Sequence, residues 1–270
     1  MRKPGRHYTN PILTGFHPDP SICRAGDDYY LVTSSFEYFP GIPIFHSRDL
    51  VHFHQIGHVL TRKSQLPLDG VRSSGGLYAP TIRYHHGKFY VVCTNMHLQR
   101  NFIVRARRPQ GPWSEPLWID REGFDPSLFF DDTGEVYFTR DGQGADFDHP
   151  QIFQAKIDVS TGKLRNRPKS IFTGTGGIWP EASHIYRRGD WHYLVIAEGG
   201  TSYGHSAVVA RSRKPTGPFE ACPYNPLMTH ANRPRDPFQA LGHADLVDTP
   251  TGETFAVLLG IRPTHGRYHH

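Results

Sequence analysis

The chain has 270 residues, and its net charge of +5 comes from basic residues that are scattered along the sequence. A nucleic-acid-binding protein would need a continuous basic face or a known motif, so no nucleic-acid partner is predicted. A mean hydropathy of −0.52, with no apolar stretch of membrane-spanning length, predicts a soluble protein without a membrane partner.

Strand-like segments recur along the chain and indicate its fold. No long segment shows helical periodicity, because glycine and proline, at 27 and 23 residues, interrupt most candidate helices. Aromatic and β-branched runs lie instead around Tyr30, Tyr90, Tyr137, Tyr193 and Phe255, at spacings of 47 to 62 residues. These spacings exceed the usual propeller period of about 40–50 residues, but they fit blades that carry loop insertions.

The repeat units share an internal order. A short strand is followed by a turn such as Ala25-Gly26-Asp27, then by an apolar strand, and then by a third strand such as Ile44-Phe45-His46-Ser47. Gly111-Pro112-Trp113 and Gly217-Pro218-Phe219 form a second marker that recurs two units apart. We therefore predict an all-β fold, a five-bladed β-propeller, in a single catalytic domain over residues 1–270.

Three carboxylates occupy matching places in this repeat. Asp19 and Asp125 each precede a Pro-Ser pair, Glu181 precedes Ala-Ser, and each lies about a dozen residues before an apolar strand. An isolated Asp-Pro is more often a turn, but three acids at equivalent positions of a radial array would meet at its axis. Glycosidic bond cleavage needs a proton donor for the leaving oxygen and a base for the incoming water. The pattern therefore predicts a glycosidase pocket.

The fifth unit is the least complete. It supplies Gly242-His243-Ala244-Asp245-Leu246 and one further strand over residues 254–260, and the chain then stops at His269-His270. An open ring would expose strand edges, so we expect residues 10–13 to add a strand to an incomplete fifth blade. We also expect this chain to be a truncated form of a longer protein.

Residues 1–10 and the cysteines bear on the compartment. The first ten residues are polar and lack the apolar core of a secretory signal, which predicts a cytoplasmic protein. Cys23, Cys93 and Cys222 are far apart and odd in number, so they indicate neither a disulfide framework nor a zinc site. The sequence does not indicate an oligomeric state.

Five motifs resemble those of glycoside hydrolase family 43, and they occur in the family's order. They are residues 15–21, 33–41, 124–128, 197–201 and 242–246. Residues 36–41 and 75–80 are similar to the exo-acting β-xylosidase and α-L-arabinofuranosidase branch. The resemblance implies a five-bladed propeller that hydrolyses small xylan-derived oligosaccharides with inversion and without a required cofactor. It also implies a continuation that finishes the last blade and often adds a β-sandwich.

Each acid has an expected role in this chemistry. We expect Asp19 to be the general base and Glu181 the general acid, with their carboxyl groups roughly 6.5–9.5 Å apart, as in inverting enzymes. Asp125 is expected to orient Glu181 and to raise its pKa by like-charge repulsion. The neighbouring Trp179 and Pro180 would favour the protonated form of Glu181.

Four further residues are candidates for binding the substrate. Phe36 and Tyr78 resemble pocket walls that enclose a sugar, although both would also suit an apolar core. Thr201 ends a segment that resembles a pocket-lining strand end. His243 takes the axial position in the fifth unit, where some family members hold calcium or its waters, so the sequence leaves a calcium ion near His243 open.

Two other functions remain open at this point. A non-catalytic sugar-binding propeller, or an inactive truncated fragment, would carry the same motifs without turnover. A protein-binding scaffold is the third alternative, because propellers serve many functions, but it gives no reason for three acids on the axis.

Overall fold

The structure is a computed structural model that describes residues 7–119, 123–142 and 150–264. Within these ranges it consists of strands and turns without a helix, so none is present there that could cross a membrane. The strands form successive antiparallel sheets, each built from segments that follow one another in the chain. This is the arrangement of propeller blades, and it confirms the predicted all-β propeller.

Four sheets contain four or five strands, and the last contains two. The first sheet consists of β1 (Ser21–Ala25), β2 (Asp28–Val32), β3 (Gly41–Ser47) and β4 (His54–Leu60). The second consists of β5 (Leu77–His85), β6 (Lys88–Asn95), β7 (Arg100–Ala106) and β8 (Leu117–Trp118). The third consists of β9 (Ser127–Phe130), β10 (Val136–Gly142), β11 (Gln151–Asp158), β12 (Lys163–Leu164) and β13 (Lys169–Phe172). The fourth consists of β14 (Glu181–Arg188), β15 (Trp191–Glu198), β16 (Ser206–Ser212), β17 (Glu220–Ala221) and β18 (Met228–Thr229). The last consists of β19 (Gln239–Asp248) and β20 (Thr254–Ile261).

The predicted repeat corresponds to the second strand of each sheet. Strands β2, β6, β10, β15 and β20 contain the five aromatic positions that marked the repeat in the sequence. In the first sheet, Ala25 pairs with Asp28 across a two-residue turn. Gly26 in that turn has a φ of 65°, a left-handed conformation that glycine adopts at little cost. Turn glycines and apolar strands therefore made the repeat visible in the sequence.

The apolar core lies between neighbouring sheets. One cluster packs Val32 of the first sheet with Ile82 of the second. Other clusters fill the spaces between the second and third, third and fourth, and fourth and last sheets. A final cluster joins Leu31 of the first sheet to Val257 of the last. The ring is therefore closed by packing, with the two-stranded sheet between the fourth and first sheets.

Two expectations about the last sheet need correction. The structure forms four blades rather than five, since β19 and β20 make a sheet of only two strands. The strand expected over residues 10–13 is not formed, and these residues instead border a cavity of about 1130 Å³ that runs along β20. Pro11 has no N–H to donate to a sheet, and Leu13 packs against the cluster that joins the first and last sheets. The predicted end at His269-His270 lies outside the described residues.

A buried ionic network ties the inner strands together. Asp245 of β19 accepts hydrogen bonds from Ser21 Oγ of β1 (2.5 Å), from Arg83 Nη1 of β5 (2.7 Å) and from the Tyr186 hydroxyl of β14. Burial alone would raise the pKa of Asp245, but the charge of Arg83 holds it well below its usual range. The network therefore joins strands of four different sheets at a fully buried carboxylate.

Candidate active site

The three predicted acids lie where inner strands begin. Asp19 and Asp125 each stand two residues before an inner strand, and Glu181 is the first residue of β14. The φ angles of Asp19 and Asp125 are 53° and 49°, and that of His243 in β19 is 54°. Non-glycine residues seldom adopt this left-handed conformation, and such strain is concentrated at functional sites. The shared backbone geometry shows that Asp19, Asp125 and His243 are equivalent in their sheets. In the fourth sheet Ala182, with a φ of 52°, has this conformation, so Glu181 lies one residue before the equivalent position that the sequence predicted for it.

His243 is the residue around which two of the acids meet. Its Nδ1 atom lies 3.7 Å from Asp19 Oδ1 and 3.9 Å from Asp125 Oδ2. The exposed fractions of the three side chains are 8% for His243, 17% for Asp19 and 9% for Asp125. The structure thus brings together residues that are more than 100 positions apart in the chain.

Glu181 belongs to the same electrostatic cluster. Burial raises its pKa to about 8, and the carboxyl groups of Asp141 and Asp19 add to the increase. The expected repulsion from Asp125 is not among the causes of this rise, because desolvation of Glu181 is the largest effect and the contributing charges are those of Asp141 and Asp19. A carboxyl group with this pKa keeps its proton at neutral pH, as a general acid must.

Asp125 is buried next to Glu181. Burial raises its pKa to about 8, opposed by the nearby His243 and reinforced by the charges of Glu181 and Asp19. The backbone amide of Ala182, the residue after Glu181, also acts on this carboxyl and lowers its pKa. Asp125 is thus coupled to the strand that carries Glu181.

Ser34 fixes the side chain of Asp19, and sequence reasoning missed it. Its hydroxyl donates to Asp19 Oδ2 (2.6 Å) and accepts from the backbone N–H of Ala79 (2.7 Å). The backbone N–H of Ser34 donates to the carbonyl of Pro18 (3.0 Å). The only sequence signal was its place just after a predicted strand, inside one of the family motifs.

Asp141 was also missed, and it supports Asp125. Its Oδ1 atom accepts from the backbone N–H of Phe124 (2.6 Å), and its own N–H donates to the carbonyl of Phe124 (3.1 Å). Burial raises the pKa of Asp141 well above its usual range, and the charge of Asp125 adds to the rise. Asp141 therefore fixes the residue before Asp125 from the end of β10.

Phe36 and Tyr78 lie together beside Asp19. Their ring centroids are 5.0 Å apart, and Phe16 extends the group at 5.6 Å from Phe36. Both are half-buried rather than enclosed, as a pocket wall would be. Burial raises the pKa of Tyr78, and the charge of Asp19 contributes to the rise. The position beside Asp19 favours a pocket wall over an ordinary core.

Thr201 lies on the loop between β15 and β16, where it is half-buried. The same loop contacts the segment before Glu181, because a Cβ atom on Gly200 would lie 2.5 Å from the Trp179 ring. Trp179 itself is 55% exposed. Contact of Thr201 with substrate stays a prediction.

A calcium ion near His243 stays a prediction. Calcium takes six to eight oxygen ligands. In the part of the chain that the structure describes, no three His, Cys, Asp or Glu side chains are grouped to hold a metal ion. We therefore assign no step of the chemistry to calcium.

The combination of fold and site defines a class. Three acids lie at inner strand ends of a β-propeller, and burial raises the pKa values of Asp125 and Glu181. A glycoside hydrolase requires a pair of such carboxyl groups. The chain matches the glycosyl hydrolases family 43 over residues 8–270, and it belongs to that family.

Relatives of known name agree with this assignment. The chain is 49% identical over 268 residues to a non-reducing end α-L-arabinofuranosidase of Bacteroides ovatus, covering 97% of this chain and 49% of that protein. It is 42% identical to a β-xylosidase of Bacillus subtilis, covering 95% of this chain and 50% of that protein. The crystal structure of a xylan β-1,4-xylosidase from Bacillus halodurans superimposes with a TM-score of 0.93 at 41% identity, covering 97% of this chain and 52% of that one. The chain spans about half the length of the curated relatives that it matches.

Proposed function

We propose that this chain is the catalytic propeller of an exo-acting, inverting glycosidase that releases xylose or arabinose from xylan-derived oligosaccharides. One observation carries the proposal. The half-buried Glu181 has its pKa raised to about 8, mainly by desolvation, so it holds a proton at neutral pH within the electrostatic reach of Asp19. The names of the relatives support the two sugars, xylose and arabinose.

The reaction follows from the roles of two acids. Glu181 donates its proton to the glycosidic oxygen as the bond from that oxygen to the anomeric carbon breaks. Asp19 takes a proton from a water molecule, whose oxygen attacks the anomeric carbon from the opposite face of the sugar. The Ser34 hydroxyl donates to Asp19 Oδ2 and so orients the Asp19 carboxylate. Asp19 then loses its proton to solvent and Glu181 regains one, which restores the starting state.

Asp125 acts as an orienting residue. Its carboxyl group is coupled to His243, to Glu181 and to the backbone amide of Ala182. Because Ala182 directly follows Glu181, a fixed Asp125 limits the movement of the general acid. Asp125 is thus proposed to orient Glu181.

The substrate is proposed to bind against the half-buried aromatic group. Phe36 and Tyr78 would contact the terminal sugar next to Asp19, with Thr201 and His243 contributing polar contacts. Both proton transfers are supplied by carboxyl groups, so the proposed reaction needs no cofactor. A small oligosaccharide is the only partner that we propose, and the cytoplasmic location stays a prediction.

The two-stranded sheet is proposed to be an incomplete fifth blade. It packs against both the fourth and the first sheets through apolar clusters, and it carries His243 at the position equivalent to Asp19 and Asp125. The cavity of about 1130 Å³ along β20 lies where a blade of four strands would continue.

The test is hydrolysis by the purified chain. We expect release of 4-nitrophenol from 4-nitrophenyl β-D-xyloside, from the α-L-arabinofuranoside, or from both. Glu181→Gln should lower this activity, whereas the exposed Glu220→Gln should not. Proton NMR of the first product should show the inverted anomer. A folded chain that binds xylose or arabinose without releasing it would support the sugar-binding alternative instead.

A further inference from the structure

We propose that Glu198 is a positioning residue that holds the loop before Glu181 and thereby places the general acid. The inference rests on the proposed function, and it concerns the last residue of β15. Glu198 is only 3% exposed, yet it is not one of the three acids with a proposed role in the reaction. Its role must therefore be sought in its contacts.

The Glu198 carboxylate accepts three hydrogen bonds from one short loop. Its Oε1 atom accepts from the backbone N–H of Thr175 (2.5 Å). Its Oε2 atom accepts from the Thr175 hydroxyl (2.6 Å) and from the backbone N–H of Gly177 (3.2 Å). Hydrogen bonds to a charged acceptor are about twice as strong as those between neutral groups. The carboxylate therefore fixes the course of residues 174–177.

Two glycines of this loop make room for the carboxylate. A Cβ atom on Gly174 would lie 2.5 Å from Glu198 Oε1, and one on Gly177 would lie 2.5 Å from Glu198 Oε2. Gly174 also has a φ of 88°, a conformation that other residues rarely adopt. The loop sequence thus fits a carboxylate at position 198.

The two residues after Glu198 hold the second half of the same loop. The backbone N–H of Gly199 donates to the carbonyl of Ile178 (2.7 Å). Gly200 lies directly against the Trp179 ring, where a side chain would collide with it. Residues 198–200 therefore contact the loop over residues 174–179 along its whole length.

The loop over residues 174–179 directly precedes Glu181, the proposed general acid. Only Pro180 separates Trp179 from Glu181, and Glu181 is itself paired with Ala197, the residue before Glu198. The same end of β15 thus contacts Glu181 through the sheet and the preceding loop through the carboxylate. Loosening that loop would let Glu181 move and would admit water to it.

Substrates with different leaving groups show whether Glu198 positions the general acid or only stabilises the fold. A methyl glycoside needs a proton from the acid because methoxide is a poor leaving group, whereas a 2,4-dinitrophenyl glycoside departs with little help. We expect Glu198→Gln to lower kcat/KM about 10–100-fold for the methyl glycoside and less than about threefold for the dinitrophenyl glycoside. The alkaline limb of the methyl glycoside profile should also move to lower pH, because a solvated Glu181 loses its proton more readily.

Two further variants complete the experiment. Thr175→Val removes one donor to Glu198 at nearly constant shape, so it should reproduce the same leaving-group dependence more weakly. Gln65→Ala is the matched control, because the buried Gln65 also binds a loop, through Thr61 and Trp113, in a different part of the ring. It should lower the melting temperature without changing the ratio of the two kcat/KM values.

The outcomes distinguish this inference from the proposed function. A wild-type chain that cleaves both glycosides, with the selective loss in Glu198→Gln and Thr175→Val, would support the inference. An active wild type whose variants lose both activities equally, or lose neither, would overturn the inference alone. A folded wild type that cleaves neither glycoside would overturn the proposed function, and the inference with it.

Discussion

Replacing Glu181 with glutamine should stabilise the protein at alkaline pH. In the folded chain burial raises the pKa of Glu181 from its usual 4.5 to about 8. Between these values the folded state keeps a proton that the unfolded chain has released. Stability therefore falls as pH rises through this window, and it levels off above the folded pKa. Glu181→Gln removes this titration, so its stability relative to the wild type should rise over the same window.

The size of the effect follows from the pKa difference. A shift of about 3.5 pH units at 1.36 kcal/mol each corresponds to about 5 kcal/mol for this single group. For a chain of this length, about 3–5 kcal/mol moves the melting temperature on the order of 10 °C. A glutamine also carries a cost of its own at this half-buried position. That cost is independent of pH, so the change between pH 4 and pH 9 measures the titration of the Glu181 carboxyl group together with its effect on Asp125.

The assay is thermal and urea unfolding of both chains at pH 4, 7 and 9. Glu220→Gln is the control, because it removes a carboxyl group from β17 whose side chain is 71% exposed and therefore remains solvated in the folded chain. Its difference from the wild type should change little with pH. If the Glu181→Gln difference is equally flat, Glu181 does not hold a proton in the folded chain. The assignment of Glu181 as general acid would then fail.

Three other changes test the rest of the site and its support. Asp19→Asn should lower kcat/KM by about 10²–10⁴-fold for methyl and dinitrophenyl glycosides alike, because the base acts on water whatever the leaving group; a selective loss would contradict this role. Asp245→Asn should destabilise the chain by about 3–5 kcal/mol in urea unfolding, since it leaves the charge of Arg83 buried without its partner; a loss below about 1 kcal/mol would refute this. Gly242→Ala should cost about 1–3 kcal/mol in the same assay, because its methyl group would overlap the buried His205 ring; an unchanged midpoint would show that the ring moves freely.

The repeat and the acids could be read from the sequence because both follow from local patterns. An apolar strand after a glycine turn has the same appearance in each blade, and the aromatic marker residues lie in the second strands. Asp19 and Asp125 stood out because each precedes Pro-Ser at an equivalent place in its unit. The left-handed φ at both residues is the structural counterpart of that pattern.

The residues that support the acids could not be found in this way. Ser34 contacts Asp19 across 15 positions, and Arg83 contacts Asp245 across 162. Such pairs depend on how the strand ends and loops lie in space, and serines, arginines and acids of the same kind occur throughout the surface. The predicted strand over residues 10–13 was wrong for a related reason, because local composition does not reveal whether a sheet edge lies within reach.

The support network also explains how the strained site keeps its geometry. Asp19 and His243 adopt left-handed conformations, and each lies two residues before a member of the buried network, Ser21 and Asp245. Ser21 Oγ donates to Asp245 Oδ2 (2.5 Å). This hydrogen bond joins the first and last sheets two residues after Asp19 and His243. The last sheet has only two strands, and packing alone would leave it the least anchored part of the ring. Because a buried carboxylate is costly without its partners, the Asp245 network favours one relative position of the two sheets. Residues that take no part in the proposed chemistry therefore help to hold His243 and Asp19 at their separation of 3.7 Å.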